Sequence, residues 1–284
     1  MFAPGHLIWI GICFFLILTG ISVLMKKKPP IKTVINVSLG IGIVSEIIKV
    51  LSLTTIVPMV DQAIVTEGGK TALAWVPTGD YTPYLPNEHL PLELCSLYLI
   101  FLFIVQYLQD GKIKHNLLSL MYVSGLLGGT LGVVLASQTQ YCHTMSDYFL
   151  TFRAWQYFLY HAMIIIVSIY IGFSEYSNIY FRDWKTAALG IVILDCPTFY
   201  LNSVLSTEVF VGDKIVGVTH RMNFLSSYIN PLGLILDEKW KWFLYLVIRF
   251  ILGLLLTIAI FSLLLLRKDK ELPPPVTEEA ANDG

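Results

Sequence analysis

Seven apolar stretches, interrupted by polar segments, divide the chain at residues 7–25, 33–59, 91–108, 116–136, 153–173, 185–205 and 241–266. A bilayer core takes roughly 20 apolar residues at helical rise. Hydrocarbon offers no partner for free backbone groups, so each stretch predicts a transmembrane helix. Two longer polar segments, about residues 60–90 and 206–240, separate the later spans. The first carries Thr78-Gly79-Asp80-Tyr81-Thr82-Pro83, punctuation that reads as turns rather than a further span. The expected fold is an all-α polytopic membrane protein of seven helices, forming one domain over residues 1–269. Residues 270–284, with Pro273-Pro274-Pro275 followed by acidic and small residues, predict a disordered tail.

The polar residues inside these stretches are not scattered. Ser38, Gly42, Ser45, Glu46, Lys49 and Ser52 recur at three- to four-residue spacing, which is one face of the second helix. Arg153, Gln156, Tyr157, Tyr160 and His161 do the same in the fifth, Asp195, Thr198 and Asn202 in the sixth, and Trp242, Tyr245 and Arg249 in the seventh. Lipid gives such stripes no partner, so they must face one another. The fourth stretch carries Gly125-x-x-x-Gly129 and Gly128-x-x-x-Gly132, spacing that predicts close helix packing rather than chemistry.

Composition agrees with this reading and adds an orientation. Of 284 residues 55% are hydrophobic, and the mean hydropathy is +0.68, beyond the range of soluble domains. A net charge of −1 makes a nucleic-acid partner unexpected. Eleven of the 19 basic residues fall on one side of the membrane, after the odd-numbered spans, and six on the other. The positive-inside rule then places the N-terminus outside and the C-terminus in the cytoplasm. No positive charge precedes the first apolar run, so that run reads as an uncleaved anchor rather than a signal peptide. A multi-pass protein of the plasma membrane is the expectation.

Ionisable groups in hydrocarbon are costly and mark functional candidates. Glu46 and Lys49, three apart, predict one pair; Asp195 and Arg249, at compatible depths on neighbouring spans, predict another. Such pairs often only hold a bundle in register. Cys95 lies about one turn below the outer surface and His161 about two, so the two can meet in the outer leaflet. A histidine that takes a thiol proton makes cysteine a nucleophile, although a membrane cysteine is more often an inert small hydrophobe. Cys13 and Cys196 read as packing residues, and Cys142-His143 as a solvent-facing loop pair. His89, His115 and His220 read as surface histidines. The scattered cysteines have no zinc spacing, and neither a metal nor a cofactor is expected.

Leu90-Pro91-Leu92-Glu93-Leu94-Cys95 resembles the Leu-Pro-Leu-His-Leu-Cys motif of the YwaF-type bacterial membrane proteins, relatives of transmembrane protein 164. The resemblance continues through Gln156-Tyr157-Phe158-Leu159-Tyr160-His161, Asn202, Asn223-Phe224-Leu225 and the Trp240–Tyr245 segment. It implies a cysteine–histidine acyltransferase acting on lysophospholipids, with Cys95 as nucleophile and His161 as base. Glu93 stands where many relatives have His, which alters any substrate contact made there.

The leading expectation is therefore acyl transfer or acyl hydrolysis on a membrane lipid through a thioester. Asn202 and Asn223 would donate to the oxyanion, and Glu93, Gln156 and Tyr157 would lie near the substrate. Membrane lipids are the expected partners, and nothing points to a soluble protein partner. A small-molecule or proton-coupled transporter using Glu46, Lys49, Asp195 and Arg249 is the main alternative. It lacks repeated halves, and Pro197 interrupts only the sixth span. A seven-helix sensor is a third reading. Its cytoplasmic loops, about 109–115 and 174–184, are short for carrying a signal.

Overall fold

The computed structural model describes residues 3–67, 70–86, 89–90, 93–135, 142, 144–211, 214–220, 225 and 238–267. Among the described residues, six helices are long and apolar enough to cross a membrane: α1 (Pro4–Lys27), α2 (Ile31–Leu53), α4 (Lys112–Leu135), α6 (Phe152–Phe173), α7 (Trp184–Val204) and α8 (Lys239–Ser262). Each begins and ends within a few residues of an expected span, except α2. Between them lie α3 (Leu94–Tyr107) and the single turn α5 (Asp147–Leu150). The 14 residues of α3 span only about 21 Å at helical rise, short of the roughly 30 Å core.

The expectation of an all-α chain needs correction. Thr55–Glu67 (β1) and Lys70–Tyr84 (β2) pair antiparallel, and Thr207–Val211 (β3) pairs with Lys214–His220 (β4). The long segments after α2 and α7 thus each carry a hairpin among the described residues. The second span, expected over residues 33–59, is cut short for the same reason. Pro58 lacks an N–H and its ring would clash with the carbonyl of Thr54 in a helix, while the residue before a proline favours extended backbone. The helix therefore closes at Leu53, and the β-branched Thr54-Thr55-Ile56-Val57 run passes into strand. The expected tail, residues 270–284, lies outside the described residues.

Helix α6 is the hub, packing against α1, α2, α3 and α4; α7 and α8 join the bundle through α4 and each other. In its most apolar window 67% of α6 is buried, against 11% in α1 and in α8. The outer helices instead expose large apolar side chains, among them Phe14, Phe15, Phe250 and Leu255, as expected where lipid is the solvent.

Polar contacts hold the hub. Tyr98 of α3 donates to Ser168 of α6 (2.9 Å), which donates to the Met121 carbonyl of α4 (3.0 Å). At one end of α1, Trp9 donates from Nε1 to the Tyr148 carbonyl (2.8 Å), and His6 bonds the Val133 carbonyl (2.9 Å). Past its other end, Lys28 donates to Glu175 (2.7 Å), a contact that raises the lysine pKa above its ordinary value. Arg267, beyond α8, donates to the carbonyls of Gly172 and Ile179.

The α4 glycines let these helices approach. A Cβ on Gly125 would overlap the Ser168 hydroxyl and the Tyr98 ring, and one on Gly129 would overlap Ile165. Gly125→Val should therefore destabilise the bundle by about 1–3 kcal/mol, the usual cost of overpacking. Gly11→Ala, whose Cβ would meet nothing within 4 Å, should not. Thermal unfolding in detergent, followed by size exclusion, measures both. Equal melting of the two variants would refute this account of the contact.

Candidate active site

The end of the bundle where α3 begins holds a cavity of about 440 Å³. Its wall brings together Lys49 from α2, Glu93 and Cys95 at the start of α3, Tyr157 and His161 from α6, Asp195 from α7 and Arg249 from α8. Elements far apart in sequence thus converge on one space, as inward-turned polar stripes require.

Cys95 is the second residue of α3, where the unpaired N–H groups of a first helical turn favour negative charge. Ser96, the next residue of α3, lines the same cavity. The Cys95 carbonyl accepts from the Tyr160 hydroxyl of α6 at 2.8 Å, fixing this turn to the hub.

His161 is almost fully buried, and its Nδ1 is 2.7 Å from the Tyr157 carbonyl. A carbonyl can only accept, so Nδ1 carries the proton and Nε2 presents a lone pair. That is the tautomer a general base needs. The Tyr157 ring lies 4.1 Å from the imidazole, and its hydroxyl donates to the Gly132 carbonyl at 3.2 Å. Arg153 lies over the other end of the stripe, 5.5 Å from the Tyr157 ring centroid.

Two glycines of α4 complete the geometry. A Cβ on Gly132 would overlap the His161 ring, while one on Gly128 would sit 3.5 Å from the Cys95 backbone nitrogen. The nucleophile and base candidates therefore rest on the same face of α4, about one turn (~6 Å) apart along it. Among the described hydrogen bonds, none joins Cys95 to His161 directly.

The charges are paired. Lys49 Nζ is 2.6 Å from Glu46 Oε1, and Asp195 binds the Arg249 guanidinium across α7 and α8. Glu46 does not line the cavity. Gln156 lies outside it as well, donating to Ser45 at 2.7 Å and accepting from Arg153. Asn202 is fully buried on α7 and is not in the cavity wall. Asn223 lies outside the described residues. The cavity also takes in residues not singled out as site candidates. Arg153 continues the Tyr157–His161 face at four-residue spacing, a legible signal. His89, taken for a surface histidine, is in the wall. Gly128 and Gly132, read as packing alone, are in the wall too.

The family model for the TMEM164 family matches residues 1–265. The chain belongs to the TMEM164 family. With six apolar helices of crossing length, this member is an integral, multi-pass membrane protein. No curated protein and no solved structure matches it.

The Asp195–Arg249 pair gives a test of this site's scaffold. Each side chain is 23% exposed, so removing one partner should cost less than the 3–5 kcal/mol typical of fully buried pairs, about 1–3 kcal/mol. Asp195→Asn should lower the melting temperature in detergent, and Asp195→Arg combined with Arg249→Asp should recover part of the loss. Melting unchanged in the single variant would refute a structural role for the pair.

Proposed function

We propose that this TMEM164-family protein is a membrane-embedded cysteine–histidine enzyme that transfers or hydrolyses the acyl chain of a phospholipid. One observation carries the reading. Cys95 and His161 share one cavity, and the hydrogen bond from Nδ1 to the Tyr157 carbonyl leaves Nε2 of His161 free as a base.

In the first step the Cys95 thiol gives its proton to His161 Nε2, and sulfur bonds to the ester carbon. The C–O bond then breaks, and the departing alkoxide takes the proton from His161. In the second step a lysolipid hydroxyl or a water gives its proton to His161 and bonds to the thioester carbon. The C–S bond breaks, and the thiolate recovers the proton. The first-turn N–H groups of α3 support negative charge at this end. Lys49, Arg153 and Arg249 in the same wall suit a phosphate-bearing headgroup. Asn202, outside the wall, has no part in this scheme.

The transporter reading draws less support. Its four intramembrane charges stand as two pairs, Glu46–Lys49 and Asp195–Arg249.

The topology that goes with this reading counts α3 as a seventh, short crossing. It places the N-terminus and the cavity on the outer side of the plasma membrane and the C-terminus in the cytoplasm. The support is the excess of Lys and Arg at the opposite end, including Lys26, Lys27, Lys112, Lys114 and Arg267. A tag at the C-terminus should be shielded in intact cells and one at the N-terminus accessible. Both tags on the same side would remove the seven-span topology.

Catalysis is tested in vesicles. Purified protein reconstituted with phosphatidylcholine should gain an acyl mass on Cys95 in intact mass spectrometry. Cys95→Ala should abolish that adduct, and His161→Ala should slow its formation by about 10²–10⁴, the usual range for a general base. Cells lacking the protein should regain the wild-type lipid profile with the native chain but not with Cys95→Ala. Full rescue by both variants would end the proposal.

A further inference from the structure

A second cavity, about 310 Å³, lies between α7 and α8. Ile191, Asp195 and Arg249 belong to the walls of both cavities, so the two spaces adjoin at the ion pair. Away from the pair the lining turns apolar, with Val192, Leu246, Phe250 and Leu254. The hydroxyl at its far end, Thr257, already donates to the Gly253 carbonyl at 2.8 Å, so it presents no free donor. From Arg249 to Thr257 the cleft follows α8 for about 12 Å, most of the depth of one leaflet, itself about 15 Å.

Two further features point to an occupant. Gly253 stands in the middle of a 24-residue helix, where glycine costs roughly 1 kcal/mol against alanine. A Cβ there would meet nothing within 4 Å, so no helix contact requires the glycine. What its bareness preserves is room in the cleft. The second feature is Arg249 Nη1, which is buried and has no hydrogen-bond partner among the described residues. The Arg249 side chain as a whole is 23% exposed and lines both cavities, so its open edge can donate to a ligand at their junction.

We infer that the α7–α8 cleft is the acyl-chain subsite: a lipid's hydrocarbon tail lies along Gly253 toward Thr257, with an ester or phosphate oxygen accepting from Arg249 at the mouth. This rests on the acyl-transfer reading for the identity of the lipid, but not for the presence of a tail in the cleft. The Asp195–Arg249 pair then separates a polar reaction chamber from an apolar slot. The lining runs on from the ion pair to Thr257.

The test uses the full chain reconstituted in dioleoylphosphatidylcholine vesicles. These contain a phosphatidylcholine with a diazirine at the end of one palmitoyl-length chain. Photolabelling needs no turnover. Label should map to residues 188–199 and 246–257. Gly253→Leu should lower it by about tenfold, the loss of roughly two buried methylenes, while Gly11→Leu, at an equally open glycine on α1, should leave it unchanged. If Gly253→Leu does not fold, Ala188→Leu narrows the same cleft from α7. Label confined to other peptides, or unchanged in the cleft-filling variant, overturns the inference. A thioester on Cys95 without cleft label would sink the subsite and leave the enzyme reading standing. Cleft label with no thioester from any lipid would uphold the subsite and sink the enzyme reading.

Discussion

Everything at the site depends on how closely α3 and α6 approach α4. Cys95 and His161 belong to different helices with no covalent reason to meet, and a third helix brings them onto one surface. Gly132 admits the imidazole, whereas a Cβ at Gly128 would only touch the first turn of α3. Any side chain at Gly132 would occupy the ring's own volume. The same ridge continues at Gly125 and Gly129, where α3 and α6 again come close. In a membrane no hydrophobic force drives such approach, so packing and interhelical hydrogen bonds must supply it. The Tyr98–Ser168–Met121 chain and the Tyr160–Cys95 bond are those hydrogen bonds. Structural packing and candidate chemistry are therefore one constraint, expressed at successive turns of α4.

A second constraint follows from the solvent. A polar side chain within a bilayer either finds a protein partner or faces a cavity. Ser45 and Gln156 satisfy each other between α2 and α6, and Thr257 satisfies itself on its own helix. Glu46 secures Lys49 and Asp195 secures Arg249. These contacts sort the polar stripes into two groups. Some residues, Gln156 among them, spend their hydrogen bonds on assembling helices. Others, including Cys95, His161 and Arg249, keep an atom toward the shared space. Position on a stripe does not distinguish the groups, since Gln156 and Tyr157 are adjacent and only Tyr157 lines the cavity.

That distinction explains what was legible in the sequence. The crossing helices were readable because a helix in lipid has one dominant requirement, a long apolar run. Cys95, His161, Lys49, Asp195 and Arg249 were readable because each is out of place in such a run. The hairpins were missed although Glu67-Gly68-Gly69-Lys70 and Val211-Gly212-Asp213-Lys214 carry hairpin-type dipeptides between β-branched runs. The shortness of α3 was hidden too, because Pro91 and Leu92 count toward an apolar run although the helix begins only at Leu94. Asn202 shows the opposite failure. Its stripe turns inward as expected, yet inward on α7 leads to the packed interior rather than the cavity, and no one-dimensional pattern separates those destinations.

Glu93, the departure from the motif, has a physical place in this arrangement. It is the residue just before α3, and its carboxylate accepts from the backbone N–H of Leu225. Leu225 adopts φ 53°, a left-handed conformation that costs a residue with a Cβ about 1–2 kcal/mol. Such strain persists only where surrounding contacts hold it, and the Glu93 carboxylate is one such contact. Both residues are in the wall of the cavity that holds Cys95. Leu225, 132 residues downstream of Glu93, is thereby tied to the turn that presents the candidate nucleophile. A carboxylate here therefore acts on the mouth of the cavity through backbone geometry, without needing to touch the thiol two residues on.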